Sequence, residues 1–245
     1  MRSSFGKETP YQLDRMTLGE LTLAYFRYRA IQVYLVLLLA SVMFACFWGD
    51  TDLDRRVLYI GLAAALTWLA YPVFWYLIHR FVLHSRALYR SPRTAALWKR
   101  IHYDHHRDPH DLRVLFGALH TTLPTIAALT TPIGVAVGGA VGGAAAFAAG
   151  LASTLFYEYC HCIQHLRYSP RSRFLRRIKR LHLLHHFHNE QVNFGITNYL
   201  WDRFLGTYSA RAGTMPRSPT VFNLGYCGDE QVRYPWVARL AGRQA

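Results

Sequence analysis

Ten of the thirteen histidines in this 245-residue chain fall into four short clusters. They are His79-Arg-Phe-Val-Leu-His84, His102-Tyr-Asp-His105-His106, His161-Cys-Ile-Gln-His165 and His182-Leu-Leu-His185-His186. Neutral imidazole is the commonest nitrogen ligand for transition metals. A structural zinc is satisfied by four ligands, so ten imidazoles exceed what one metal uses. The count suits two metals with positions left open for chemistry.

The spacings fit helices. His102, His105 and His106 stand at i, i+3 and i+4, as do His182, His185 and His186. His161 and His165 stand at i and i+4, with Glu158 a turn earlier on the same side. Residues three and four apart are neighbours on a helix surface. His79 and His84 are five apart, about 140° around an ideal helix. They need a helix end between them or two different metals. Histidines also gather at membrane interfaces, and one His-x-x-His-His would be weak evidence of a metal. Two copies, with His-x4-His and His-x3-His beside them, favour the metal. Glu158 is the best candidate for a carboxylate supporting a ligand from behind. Asp104, Asp108 and Asp111 read as solvated, and Cys160 and Cys162, which flank His161, as less apt ligands than the imidazoles.

Long apolar runs must position these clusters. Residues 31–48 and 57–78 carry no charge, 114–131 carry only His120, and 132–157 form an uncharged Ala/Gly-rich run. A helix needs about 20 apolar residues to cross a bilayer. The expected fold is all-α: an integral membrane protein with four transmembrane helices in two hairpins. The second hairpin is expected to turn near residues 130–133. A cytosolic helical layer carrying the histidine-rich dimetal site caps them. One membrane-embedded domain then fills residues 1–245: a cytosolic lead-in at 1–30, four spans with a connecting segment at 31–165, and a cytosolic cap at 166–245. Gly134, Gly138 and Gly142 place small residues every fourth position. They permit close packing within the chain or across a homodimer.

The net charge of +14 raises nucleic acid as a partner, but its distribution favours a membrane. Eight Lys/Arg lie between Arg80 and Arg113 and seven between Arg167 and Arg180, whereas residues 49–56 hold two beside three Asp. By the positive-inside tendency, both termini and the histidine-bearing segments are cytoplasmic. The basic belts suit anionic headgroups, and no nucleic-acid role is expected. Four cysteines (Cys46, Cys160, Cys162, Cys227) form no disulfide framework.

The segment after the last cluster includes Asn193-Phe-Gly-Ile-Thr197 and Leu200-Trp-Asp-Arg-Phe-Leu-Gly-Thr207. With the four histidine motifs in this order, the chain closely resembles the fatty acid hydroxylase/sterol desaturase superfamily over roughly residues 71–208. His79-Arg-Phe-Val-Leu-His84 and Tyr157-Glu-Tyr-Cys-His161 look most like its fatty acid 2-hydroxylase branch. The resemblance implies a membrane-bound non-haem dimetal oxygenase. It also implies that His79, His84, His102, His105, His106, His161, His165, His182, His185 and His186 are all metal ligands. Two iron ions are the implied cofactor, with zinc able to occupy the site in purified material, and O2 is the co-substrate. His110, His120 and His188 fall outside the shared pattern. No cytochrome b5-like segment is expected ahead of the spans, so a separate electron donor of ferredoxin or cytochrome b5 type is expected.

A catalytic layer at headgroup level points to a membrane lipid oxidised near its polar end, best carbon 2 of a fatty acyl chain. Oxidation or desaturation of a sterol or another lipid is the alternative within the same chemistry. From another class come a metal transporter and a non-catalytic metal-binding membrane protein. Transporters place ionisable residues within their spans, and three of these runs have none. The membrane is a bacterial inner membrane or the endoplasmic reticulum.

Overall fold

The structure, a computed structural model, describes residues 12–242. The first eleven residues of the expected lead-in lie outside them. Among the described residues there is no β-strand, only an isolated bridge between Gln12 and Asp111. Two compact units emerge. One comprises the described residues of Met1–Leu18, Trp75–Phe116 and Cys160–Ala245; the other comprises Gly19–Phe74 and Gly117–Tyr159.

The second unit is built from apolar helices. After α1 (Leu18–Arg27) come α2 (Arg29–Phe47) and α3 (Leu53–Ile78), joined by a short loop. Arg56 holds that loop, donating to the Ala45, Trp48, Gly49 and Thr51 carbonyls. These groups lie at the C-terminus of α2, where carbonyls lack helical partners and a cation is favoured. Arg55 pairs with Asp52, so neither cation of this loop is free of an internal partner.

The next long helix, which we number α4 (Leu119–His165), is continuous apart from Gly138 and Gly139. Gly139 has φ 56° and ψ −137°, a conformation essentially reserved for glycine. The chain reverses there. A Cβ on Gly134 would strike the Gly142 carbonyl; one on Gly150 would meet Thr130 and Ile126 at 2.8–3.0 Å. The two arms therefore pack antiparallel with their backbones close. The turn expected near 130–133 is displaced to 138–139. Pro132 fits inside the first arm, and only the glycine pair supplies the reversing geometry. Gly134 and Gly142 face each other within the chain. Three helical stretches are long and apolar enough to cross a membrane: Arg29–Phe47, Leu53–Leu83 and Leu112–His165.

The first unit holds shorter elements. Ser91 caps α5 (Pro92–Trp98) through the Arg93 amide, and Pro92 stands in its first turn. Ser172 caps α6 (Arg173–Phe187), and α7 (Leu200–Phe204) follows. Tyr89, Trp98, Tyr103, Tyr226 and Val237 form an aromatic core. Cys160, Ile178, Leu181 and Tyr199 form another beneath α6. Trp98 belongs to the first and donates its indole N–H to the Leu83 carbonyl.

Candidate metal centre

All ten clustered histidines belong to the first unit, and the backbone bends to bring them together. Residues 79–83 form a π-helical turn in which the His84 amide donates to the His79 carbonyl, five residues back. The widened turn brings positions i and i+5 side by side, and the two Nε2 atoms lie 3.2 Å apart. The sequence left a helix end or two metals open for this pair. The structure ends the helix at a turn of the wide type that recurs at functional sites. A second π-turn, Lys99–Tyr103, carries His102 into the short helix of His105 and His106. Asp104 pairs with buried Lys99 across this turn at 2.7 Å, and Asp111 pairs with Arg113 at 2.7 Å. Only Asp108 of the three aspartates is exposed, so the expectation of solvation fails for the other two.

The rings sort into groups. His105, His161, His165, His182 and His186 form one; His79, His84, His102 and His106 form another. His185 joins His106 and His186 between them. Within each group the ligand nitrogens lie within 4.8 Å of one another. Nine of the ten side chains are buried and His84 is half-buried.

Three hydrogen bonds set ring orientation. Nδ1 of His79, His106 and His185 donates to the carbonyls of Phe194, Val221 and Val192, at 2.5, 3.1 and 2.7 Å. A carbonyl only accepts, so each ring turns an unprotonated Nε2 inward. Metal-bound histidines are usually held this way. Eight of the ten leave a buried ring nitrogen without a hydrogen-bond partner: His84, His102, His105, His106, His165, His182, His185 and His186. Buried polar atoms are rarely orphaned. Nε2 of His102, His106 and His185 is unpartnered inside the cluster, and Nε2 of His79, His84, His105, His161, His165 and His182 faces another imidazole Nε2, an arrangement a metal would satisfy. The closest Nε2 pairs, His161–His105 at 3.1 Å and His165–His182 at 2.8 Å, have the right scale. Ligands at right angles on bonds of about 2.1 Å stand about 3.0 Å apart.

Burial keeps the rings neutral. His102, His105, His182, His185 and His186 are held well below the ordinary value of 6.5 by desolvation, and next by neighbouring imidazoles. The corresponding value for His106 falls to about 3, again through burial, although its bond to Val221 opposes the shift. Neutral imidazole is the ligating form.

A carboxylate that the spacing of the histidines does not single out stands behind these rings. Asp202 is fully buried and accepts the Phe194 and Gly195 amides at 2.7 and 2.9 Å. Thr207 adds a third donor, and Tyr76 and Arg80 extend the chain of bonds. Asn193, at φ 57°, binds Ser209 through both side-chain atoms. The segment so held presents the Val192 and Phe194 carbonyls to His185 and His79.

A strap at residues 215–221 also escaped the sequence reading. Ser218 and Thr220 donate to fully buried Glu190, and Ser218 also binds the His188 carbonyl. The strap delivers the Val221 carbonyl to His106. His188 binds Met215 from its ring, His110 binds the His165 carbonyl, and His120 is exposed. Glu158 is buried and accepts the Gly117 amide, while its Oε2 has no hydrogen-bond partner among the described residues. Its i, i+3 relation to His161 is also the Glu-x-x-His spacing that supplies carboxylates in soluble di-iron bundles.

Long apolar helices and a buried, convergent set of imidazoles define a membrane protein equipped to hold metal. The chain belongs to the fatty acid hydroxylase family, which it matches over residues 64–207. It is 30% identical over 155 residues to Arabidopsis thaliana dihydroceramide fatty acyl 2-hydroxylase FAH2, covering 60% of this chain and 61% of that protein. It is 30% identical over 172 residues to the Rattus norvegicus fatty acid 2-hydroxylase, covering 67% and 44% respectively. The chain thus spans less than two thirds of these curated relatives. The solved structure described as full-length scs7p, with only the hydroxylase domain visible, matches with a TM-score of 0.62 and 26% identity. That match covers 79% of this chain and 69% of the solved one.

Proposed function

We propose that this chain is a membrane-embedded fatty acyl hydroxylase that uses two iron ions and O2 to insert oxygen into a lipid C–H bond, at carbon 2 of the acyl chain. The observation that carries this reading is the convergence of ten imidazoles, whose ligand nitrogens lie within 4.8 Å of one another in each of three overlapping groups. Two related proteins bearing 2-hydroxylase names support the position of attack.

His105, His161, His165, His182 and His186 would hold one metal, and His79, His84, His102 and His106 the other, with His185 contributing between them. Bound there, iron supplies the activation of O2 needed to attack an unactivated C–H bond. The chain supplies geometry and exclusion of water. The Phe194, Val221 and Val192 carbonyls hold Nδ1 protons away from the centre. The Phe194 ring packs against His79, His84 and His185, with centroids 5.1–5.7 Å away. It forms an apolar wall that keeps water from that side.

The reading includes four membrane crossings. A single straight helix of the length of α4 would extend about 70 Å, more than twice the hydrocarbon thickness of about 30 Å. The reversal at Gly138–Gly139 supports two crossings by its two arms. The acidic α2–α3 loop, with both arginines internally engaged, faces away from the cytoplasm. Both termini and the histidine layer are then cytoplasmic, in a bacterial inner membrane or the endoplasmic reticulum. Electrons come from a separate carrier protein.

The test is mass spectrometry of total lipids from host cells supplied with candidate acyl lipids and reductant, expressing either the wild type or His105→Ala/His185→Ala. A fatty acyl class one oxygen heavier only with the wild type supports the reading. Loss of two hydrogens replaces hydroxylation by desaturation. Unchanged lipids contradict catalysis and leave a structural metal.

A further inference from the structure

Helix α6 has two unlike faces. One buries Ile178, Leu181, His182, His185 and His186. The other exposes Arg173, Arg176, Arg177 and Arg180. Beside these arginines lies an open cavity of about 860 Å³, with Leu183, Leu184 and Phe187 contributing apolar surface. Its opposite wall is the loop of Tyr168 to Pro170, fastened by Lys179, whose ammonium donates to the Leu166 and Tyr168 carbonyls. Lys179 is therefore a strut, whereas the arginines form the rim. Arg173, Arg176 and Arg180 have no carboxylate partner among the described residues.

The groove approaches the metal centre closely. Phe187 lines it and directly follows His186 in the chain, with ring centroids 6.4 Å apart. The same ring stacks on His110 at 5.9 Å, and His110 binds the carbonyl of His165. An occupant resting on Phe187 is separated from His186 by one aromatic ring.

We propose that this groove docks an acidic one-electron carrier protein, an inference that rests on the hydroxylase reading above. Hydroxylation breaks one C–H bond and forms one C–O bond, and the second oxygen of O2 leaves as water. The balance is RH + O2 + 2 H⁺ + 2 e⁻ → ROH + H2O. Two reduced carriers each lose one electron per turnover. Positive charge around an apolar contact steers an acidic partner and fixes its orientation. The arginine row, at i, i+3, i+4 and i+7, extends about 10 Å along the helix. That length suits an acidic protein patch better than one lipid headgroup, and the apolar floor leads to His186 rather than closing around a phosphate.

The experiment measures binding of two soluble acidic probes, a plant-type [2Fe–2S] ferredoxin and a cytochrome b5 haem domain, to the full chain in neutral phosphatidylcholine nanodiscs. Arg173→Glu/Arg176→Glu/Arg180→Glu should weaken binding by at least about tenfold and flatten its salt dependence, because the rim charges drive association. Reversing Arg90, Arg93 and Arg100, exposed positions outside the groove, should change affinity less than about twofold. Equal losses in the two triple variants, or no binding of either carrier to the wild type, overturn the proposal. So does loss of binding to phosphatidylglycerol vesicles with carrier affinity unchanged, which would assign the groove to anionic lipid. Metal content and melting temperature of each variant exclude misfolding as the cause. Hydroxylated lipid from a wild type that binds neither carrier would separate a failed docking surface from a failed hydroxylase.

Discussion

The Gly195 amide donates to Asp202 at 2.9 Å, and the carbonyl of that same peptide, belonging to Phe194, accepts the Nδ1 proton of His79. One peptide unit thus connects a buried carboxylate to a candidate ligand. The carboxylate polarises the peptide, strengthening its carbonyl as an acceptor. That fixes the His79 tautomer and makes Nε2 a better donor to metal.

Removing the carboxylate orphans the buried Phe194 and Gly195 amides and leaves the Thr207 hydroxyl with Tyr76 alone. Asp202→Ala should therefore cost about 3 kcal/mol, read as a lowered melting temperature. Asp202→Asn retains the shape and should lose less. In both variants metal retention at matched folded fraction should fall. A purely structural Asp202 would leave metal affinity unchanged once folding is equal.

Acid should destabilise the metal-free protein. Burial lowers the folded-state values of His102, His105, His106, His182, His185 and His186 below their unfolded value near 6.5. The unfolded chain consequently binds more protons as pH falls below about 6.5, and stability declines with it. The decline continues toward about 3, where His106 itself protonates. Thermal unfolding of metal-free protein between pH 7.5 and 4.5 checks the sign. A flat profile would mean that these rings are solvated.

Gly139→Ala should destabilise the helix reversal by about 1–3 kcal/mol, because the backbone there is nearly exclusive to glycine. Gly142→Leu should do more damage, since its side chain meets the Gly134 backbone. Melting in detergent reads both. An unchanged Gly142→Leu variant would show that the two arms do not pack as described.

Glu158 separates support from ligation. Its carboxylate takes the Gly117 amide, so Glu158→Ala should lower metal retention less than His105→Ala under the same chelator challenge. A loss as complete as that of the histidine variant would make Glu158 a ligand.

The sequence revealed which residues matter more readily than how they meet. The i, i+3, i+4 spacings identified the helical faces of His102 to His106 and His182 to His186, and apolar run length identified the long helices. The His79–His84 pair was unreadable because a π-turn depends on backbone hydrogen bonding that residue types do not announce. The reversal was misplaced because Pro132 and the threonines beside it gave a local turn signal, while the glycine pair also suited close helix packing. Asp202, Glu190 and Val221 act through contacts 5 to 115 residues away in sequence. No periodicity carries that information.

The most direct test of the central claim is metal stoichiometry, measured by inductively coupled plasma mass spectrometry on purified protein loaded to saturation. The account predicts two metal ions per wild-type chain. His182→Ala and His84→Ala, drawn from different groups, should each retain about one, and the double variant almost none. A wild type that saturates at one ion, or a His84→Ala chain that still holds two, would contradict the two-site reading.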